Sequence, residues 1–116
     1  MPIHYLNELP PLQLAPGIIG RIVTADSMTV AHVSIVAGSV LPEHAHVHEQ
    51  VVNVISGKLE LTVEGVAHIL APGTAMVLPP NMPHSGKAIT DVQVIDVFHP
   101  VREDFIGTNF AGYDKK

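Results

Sequence analysis

Cysteine is absent from this chain of 116 residues. That excludes disulfide bonds, a thiolate nucleophile and sulfur-ligated zinc, and it removes the usual mark of a small secreted scaffold. Cations are scarce as well: six Lys and Arg stand against eleven acidic residues, giving a formal charge of −5. So few positive groups cannot neutralise a phosphate backbone or hold an anionic membrane surface, and nucleic acid is excluded as a partner. No apolar run approaches the roughly 20 residues a membrane helix needs. Met1-Pro2-Ile3-His4 opens without the basic segment and apolar stretch of a secretion signal. A cytoplasmic protein with no membrane contact is expected.

Apolar residues make up 47% of the chain, enough to fill a core, and the length allows one domain over residues 1–116. Val, Ile and Thr are abundant and are punctuated by ten Pro and nine Gly, a composition that reads all-β. Apolar runs at Ile19–Thr24, Met28–Val36, Gln50–Ser56, Leu59–Val63, Val66–Leu70, Ala75–Leu78 and Val92–Phe98 alternate with turn signals. That spacing predicts an antiparallel sandwich or barrel over about 18–99, with an extended proline-rich arm at 1–17 and a tail at 100–116. Within the tail, Val101–Phe105 can form one helical turn. In Lys58–Val63 every second residue is apolar, so one face is buried and the other wet. Gln50–Ser56 is apolar on both faces, which predicts burial by a second sheet or a partner subunit, and a homodimer would supply that cover.

Eight His outnumber the Lys and Arg together, and His is the commonest metal ligand. Residues two apart in an extended chain point the same way, so His44 and His46 offer two imidazoles at a bite suited to one ion. Gln50 can join them from the next strand. His84 follows Pro79-Pro80-Asn81-Met82-Pro83, whose prolines fix the backbone at low entropic cost. By the residues alone, the His pair could equally be a half-exposed surface pair. His48 has the same parity and could take the place of Gln50. His4, His32, His68 and His99 have no partner at a ligand spacing and read as surface or pocket-wall residues.

The spacing Gly38, His44, His46, Gln50, Gly57 resembles the first cupin motif, with Gln where many members have Glu. Gly73, Pro79 and His84 resemble the second, with Asn81 in place of the usual Gly and Ala88 in place of a frequent Asn. The resemblance, over about residues 28–99, implies a small antiparallel double-stranded β-helix, or jelly-roll barrel. It also implies one divalent transition metal (Ni, Zn, Fe, Co, Mn or Cu) on His44, His46, Gln50 and His84. Gln50 removes a negative charge from the ligand set. The full charge of the ion is then left to attract an anionic oxygen, and Lewis-acid chemistry is favoured over redox.

Asp96-Val97-Phe98-His99-Pro100-Val101-Arg102 resembles the C-terminal signature of small cupins that linearise unsaturated uronates released from pectin or alginate. The resemblance implies Asp96 and Arg102 as catalytic residues, and Phe98 and Arg102 as substrate-binding ones. Asp96 and Phe98 share a strand face, and Arg102 can clamp a carboxylate bidentately. Asp96 could also serve only as a counter-ion for Arg102, and Phe98 only as core. The expected function is metal-assisted ring opening or tautomerisation of a small anionic sugar acid. A metal-dependent dioxygenase and a non-catalytic, metal-stabilised binding module are the alternatives.

Overall fold

A computed structural model describes residues 1–107, 110, 112 and 113. Its strands follow the inward alternation of Val and Leu. In the chain's last strand, Val92, Val94 and Phe98 are buried while Gln93 is exposed. Ten strands form: β1 (Leu12–Ala15), β2 (Ile18–Thr24), β3 (Thr29–Ile35), β4 (Val40–His44), β5 (Glu49–Ser56), β6 (Leu59–Val63), β7 (Val66–Leu70), β8 (Ala75–Leu78), β9 (His84–Ala88) and β10 (Val92–His99). Two single-turn 3-10 helices, Leu6–Glu8 and Glu103–Phe105, flank them. The second realises the turn expected after Pro100.

The strands divide into a six-stranded sheet, ordered β1-β2-β3-β10-β5-β8, and a four-stranded sheet, ordered β4-β9-β6-β7. Every pairing is antiparallel. Val33, Val52, Val54, Val94 and Phe98 from the large sheet meet Leu59, Leu61, Leu70 and Ala88 from the small one in a single core. Each such Val, Leu or Phe side chain contributes about 1.5–3 kcal/mol by leaving water. No helix among the described residues is long and apolar enough to cross a membrane.

Strand pairing begins at Leu12 rather than at Ile18. Four residues of the expected arm form β1 on β2, with Leu14 and Ala15 buried. Two further strands, β4 and β9, were not among the apolar runs, because Val40–His44 and His84–Ala88 mix polar, charged and small residues. Of the tail, residues 108, 109, 111 and 114–116 lie outside the described residues.

The motif positions have backbone reasons. Gly57 has φ +81°, and a Cβ there would stand 1.9 Å from the Asp91 carbonyl oxygen, so only Gly fits. Asn81, which replaces the family's usual Gly, has φ +64°. Asn is among the few residues that tolerate this left-handed region, so the substitution keeps the turn.

The outward face of β5 is only partly covered, with Val51 half-buried and Ile55 54% exposed. Val51 lies in a cross-strand row, Val23–Val30–Val97–Val51–Val77, that runs over five strands of the large sheet.

Candidate metal centre

Both sheets contribute to one site. His44 ends β4 and His84 opens β9, and the two are directly paired across the small sheet after an irregularity in β4. Gln50 stands at the start of β5 opposite Phe98 of β10, and Asp96 lies two residues further along β10. His46 sits in the β4–β5 connection. The strand stops at His44, so the two His do not share one extended segment as expected; the bend brings their rings to 5.7 Å.

Each imidazole is oriented by a backbone carbonyl. His44 Nδ1 bonds Pro42 O at 2.8 Å, His84 Nδ1 bonds Met82 O at 2.8 Å, and His46 Nδ1 bonds His48 O at 3.1 Å. A carbonyl only accepts, so each Nδ1 carries the proton and each Nε2 keeps a free lone pair. Ligand atoms of His44, His46 and His84 lie within 4.8 Å of one another, a group that could hold a metal. Burial lowers the pKa of His44 and of His46 to about 4, and it lowers His84 too. The rings are therefore neutral at pH 7, as ligation requires.

Two observations test whether an ion fits. His84 Nε2 is buried and has no partner among the described residues. His46 Nε2 faces Gln50 Oε1 at 3.0 Å, and with Nδ1 protonated that places two acceptors against each other. Two ligands on one ion at about 2.1 Å and a right angle would stand about 3 Å apart, so a shared cation would relieve the contact. The donor set suits a divalent transition ion. His48 lies outside this group and directs its Nε2 to Val101 O at 3.2 Å. His32 and His68 are half-buried and His4 and His99 exposed, all apart from the cluster.

A small cavity of about 50 Å³ reaches Gln50, His84 and Asp96 and is otherwise lined mostly by apolar side chains. Asp96 keeps some residue surface, but its Oδ1 is sealed from water and unpaired. Burial pushes the Asp96 carboxyl up to about 7, against the opposing pull of a Gln50 hydrogen bond and the Arg102 charge. Its pKa thus stands near neutrality, where a group can both take and give a proton.

Arg102 is 2% exposed, and its backbone N–H is anchored to Thr29 Oγ1 at 2.9 Å. The alternative in which Asp96 is the counter-ion of Arg102 is not what forms. Arg102 instead donates from Nε to Asp104 Oδ1 at 2.9 Å and from Nη2 to Asp104 Oδ2 at 2.7 Å. Phe98 is core, 3% exposed, yet it also packs against the His46 ring at 5.6 Å and beneath the guanidinium at 4.9 Å. Phe105 supports the guanidinium more closely, at 3.9 Å.

Two residues of the site were not foreseen. Asp104 lies two positions from Arg102, close enough in sequence to suggest a partner. Tyr113 gives no such signal. It stacks on His44 at 4.1 Å and 29°, and its hydroxyl accepts from Arg102 Nη2 at 2.8 Å.

Residues 31–98 match the family model described as a cupin domain. A pectin degradation protein, KdgF of Dickeya dadantii, is 32% identical over 103 residues, covering 86% of this chain and 94% of the relative. The solved structure of KdgF from Halomonas sp. superposes with a TM-score of 0.80 at 32% identity, over 86% of this chain and 94% of that one. An RmlC-like cupin from Shewanella frigidimarina gives a TM-score of 0.82 at 26% identity, over 89% and 94%.

Proposed function

The chain belongs to the cupin domain family, and from that premise we propose that it linearises a 4,5-unsaturated uronate. The observation that carries this reading is the juxtaposition of three carbonyl-oriented imidazoles with a buried carboxyl poised near neutrality and a buried guanidinium. Similarity to proteins named for pectin degradation supports the choice of a uronate.

His44, His46 and His84 through Nε2, with Gln50 through Oε1, would hold one divalent ion. When bound, the ion supplies Lewis acidity toward ring or carboxylate oxygens. Linearisation is redox-neutral: the anomeric hydroxyl loses a proton, the C1–ring oxygen bond opens to leave an aldehyde and an enolate, and the enolate gains a proton at C4 to become the keto acid. That sequence needs one group able to accept and return a proton, and Asp96 fills the role. Arg102 secures the substrate carboxylate. Its charge is already matched by Asp104, so it contributes directed N–H donors more than net attraction. Phe98 packs under both Arg102 and His46 and excludes water beside them.

The protein is further proposed to work as a cytoplasmic homodimer, the valine row of the large sheet facing its copy across a two-fold axis. The 59% exposure of Val77 and the 54% exposure of Ile55 leave apolar surface for that contact.

The chemistry is tested by following the conjugated absorbance of unsaturated galacturonate, guluronate and mannuronate monomers. Wild type should bleach it without consuming oxygen. Oxygen uptake with a diketone, thiol or aromatic diol would replace the proposal with a dioxygenase, and inactivity on all of them would leave a binding module.

A further inference from the structure

We infer that the Tyr113 hydroxyl and the Nη1 edge of Arg102 together form a carboxylate-receiving subsite, which makes Tyr113 a substrate-binding residue. The inference deepens the uronate reading and rests on it for the identity of the substrate, though not for the chemistry of the subsite.

A census of the Arg102 donors gives the first reason. The guanidinium has five N–H groups. Nε and one Nη2 hydrogen are taken by Asp104, and the other Nη2 hydrogen by the Tyr113 oxygen. Nη1 remains, buried and without a partner among the described residues. Buried donors are rarely left unpaired, because burial strips their water without replacement. A ligand oxygen would complete the set. Asp104 acts here as a positioning residue: its two-point contact fixes the guanidinium plane and leaves the two Nη1 hydrogens unclaimed.

The second reason is the phenol. A tyrosine hydroxyl is protonated at neutral pH and can both accept and donate. That of Tyr113 accepts from Arg102, while among the described residues its own hydrogen has no acceptor. Two free donor groups, the Tyr113 O–H and Nη1, therefore flank Nη2 of one guanidinium. A carboxylate has two acceptor oxygens on one carbon and is the ligand class that can serve both. A neutral hydroxyl supplies less charge and lacks the second oxygen.

Third, Tyr113 is held in place without a ligand. Its N–H donates to Leu14 O at 2.8 Å on β1, and its ring is flanked by His44 and by Phe110, the latter at 5.0 Å. Phe110 continues to Phe105 at 5.0 Å, under Arg102. The phenol is thus preorganised between a prospective metal ligand and the guanidinium, which lowers the entropic cost of binding.

The test is calorimetric titration of the full-length protein, as purified, with D-galacturonate and D-galactose, comparing wild type with Tyr113→Phe. The variant keeps the ring and its packing and removes one donor toward the ligand, together with the oxygen that accepts from Nη2. Galacturonate affinity should fall about tenfold while the preference over galactose falls in step. Equal galacturonate affinity in the two proteins, an equal loss for both sugars, or no galacturonate binding by wild type would each overturn the subsite. Weaker binding by Tyr113→Phe, in a wild type that leaves unsaturated uronates intact, would uphold the subsite and defeat the linearisation reading. Unchanged binding with active linearisation would do the reverse.

Discussion

Strands β5 and β10 of the large sheet and strands β4 and β9 of the small one make an instructive pair. The first two carry eight residues each and turn Val52, Val54, Val92, Val94 and Phe98 into the core. The second two carry five residues each, among them Pro42, Glu43, His44, His84 and Lys87, with little apolar surface to bury. Yet β4 and β9 supply two of the three imidazoles, whereas β5 and β10 supply the amide and the carboxyl beside them. The apolar strands stabilise the barrel, and the polar pair is held in register by backbone pairing so that its side chains are free for chemistry. Stability and ligation are consequently separable, which mutation can check.

The largest effect is expected at the polar pair and at the connection that follows β4. His84→Ala or His46→Ala should reduce metal content from about one ion per chain to near zero while the fold persists, as measured by elemental analysis and circular dichroism. Full metal in both variants with loss in His48→Ala would reassign the ligands. The apolar sheet should answer in the opposite way. Leu78→Ala, at a side chain 1% exposed on β8, should cost about 2–5 kcal/mol in denaturant unfolding with metal content retained.

A buried carboxyl on the apolar sheet should be a burden to the fold. The folded-state pKa of Asp96, about 7, exceeds its unfolded value near 3.8. The folded state therefore holds its proton longer, and stability falls as pH rises between those values. Asp96→Asn should be more stable than wild type at pH 8, by an amount on the order of 4 kcal/mol, and the two should converge below about pH 4. A variant less stable than wild type at pH 8 would contradict this. The smallest change is expected on the outer face: Val77→Lys should shift the mass measured by light scattering from dimer toward monomer and leave the melt of the barrel nearly unchanged. A monomeric wild type would remove the dimer altogether.

The same contrast explains what could be read from sequence. Leu59, Leu61 and Val63 alternate cleanly, so β6 is visible as a strand. Leu12–Ala15 is too short to show a period, and it lies among prolines that suggest an extended arm. Val40–His44 and His84–Ala88 show no apolar alternation, so their strand character is decided by pairing with each other and with β6, which is nonlocal. The candidate ligands on them, His44 and His84, were nonetheless legible, because their spacing with Gly38, Gly57, Gly73 and Pro79 resembles the cupin motifs. Arg102 could be found, but not the direction of its ion pair. Asp104 competes with Asp96 for the guanidinium and wins by being two residues away on the same turn. Tyr113 reaches His44 only through the folded path of the tail, and nothing local announces that contact.

In the proposed reaction Asp96 moves the proton, in a site organised by His44, His46 and His84. That role is tested most directly by the rate at which wild type and Asp96→Asn, matched for metal content, bleach the conjugated absorbance of unsaturated galacturonate. Asn keeps the shape and removes the base, so the rate should drop by about 10²–10⁴-fold. Equal rates would contradict the claim.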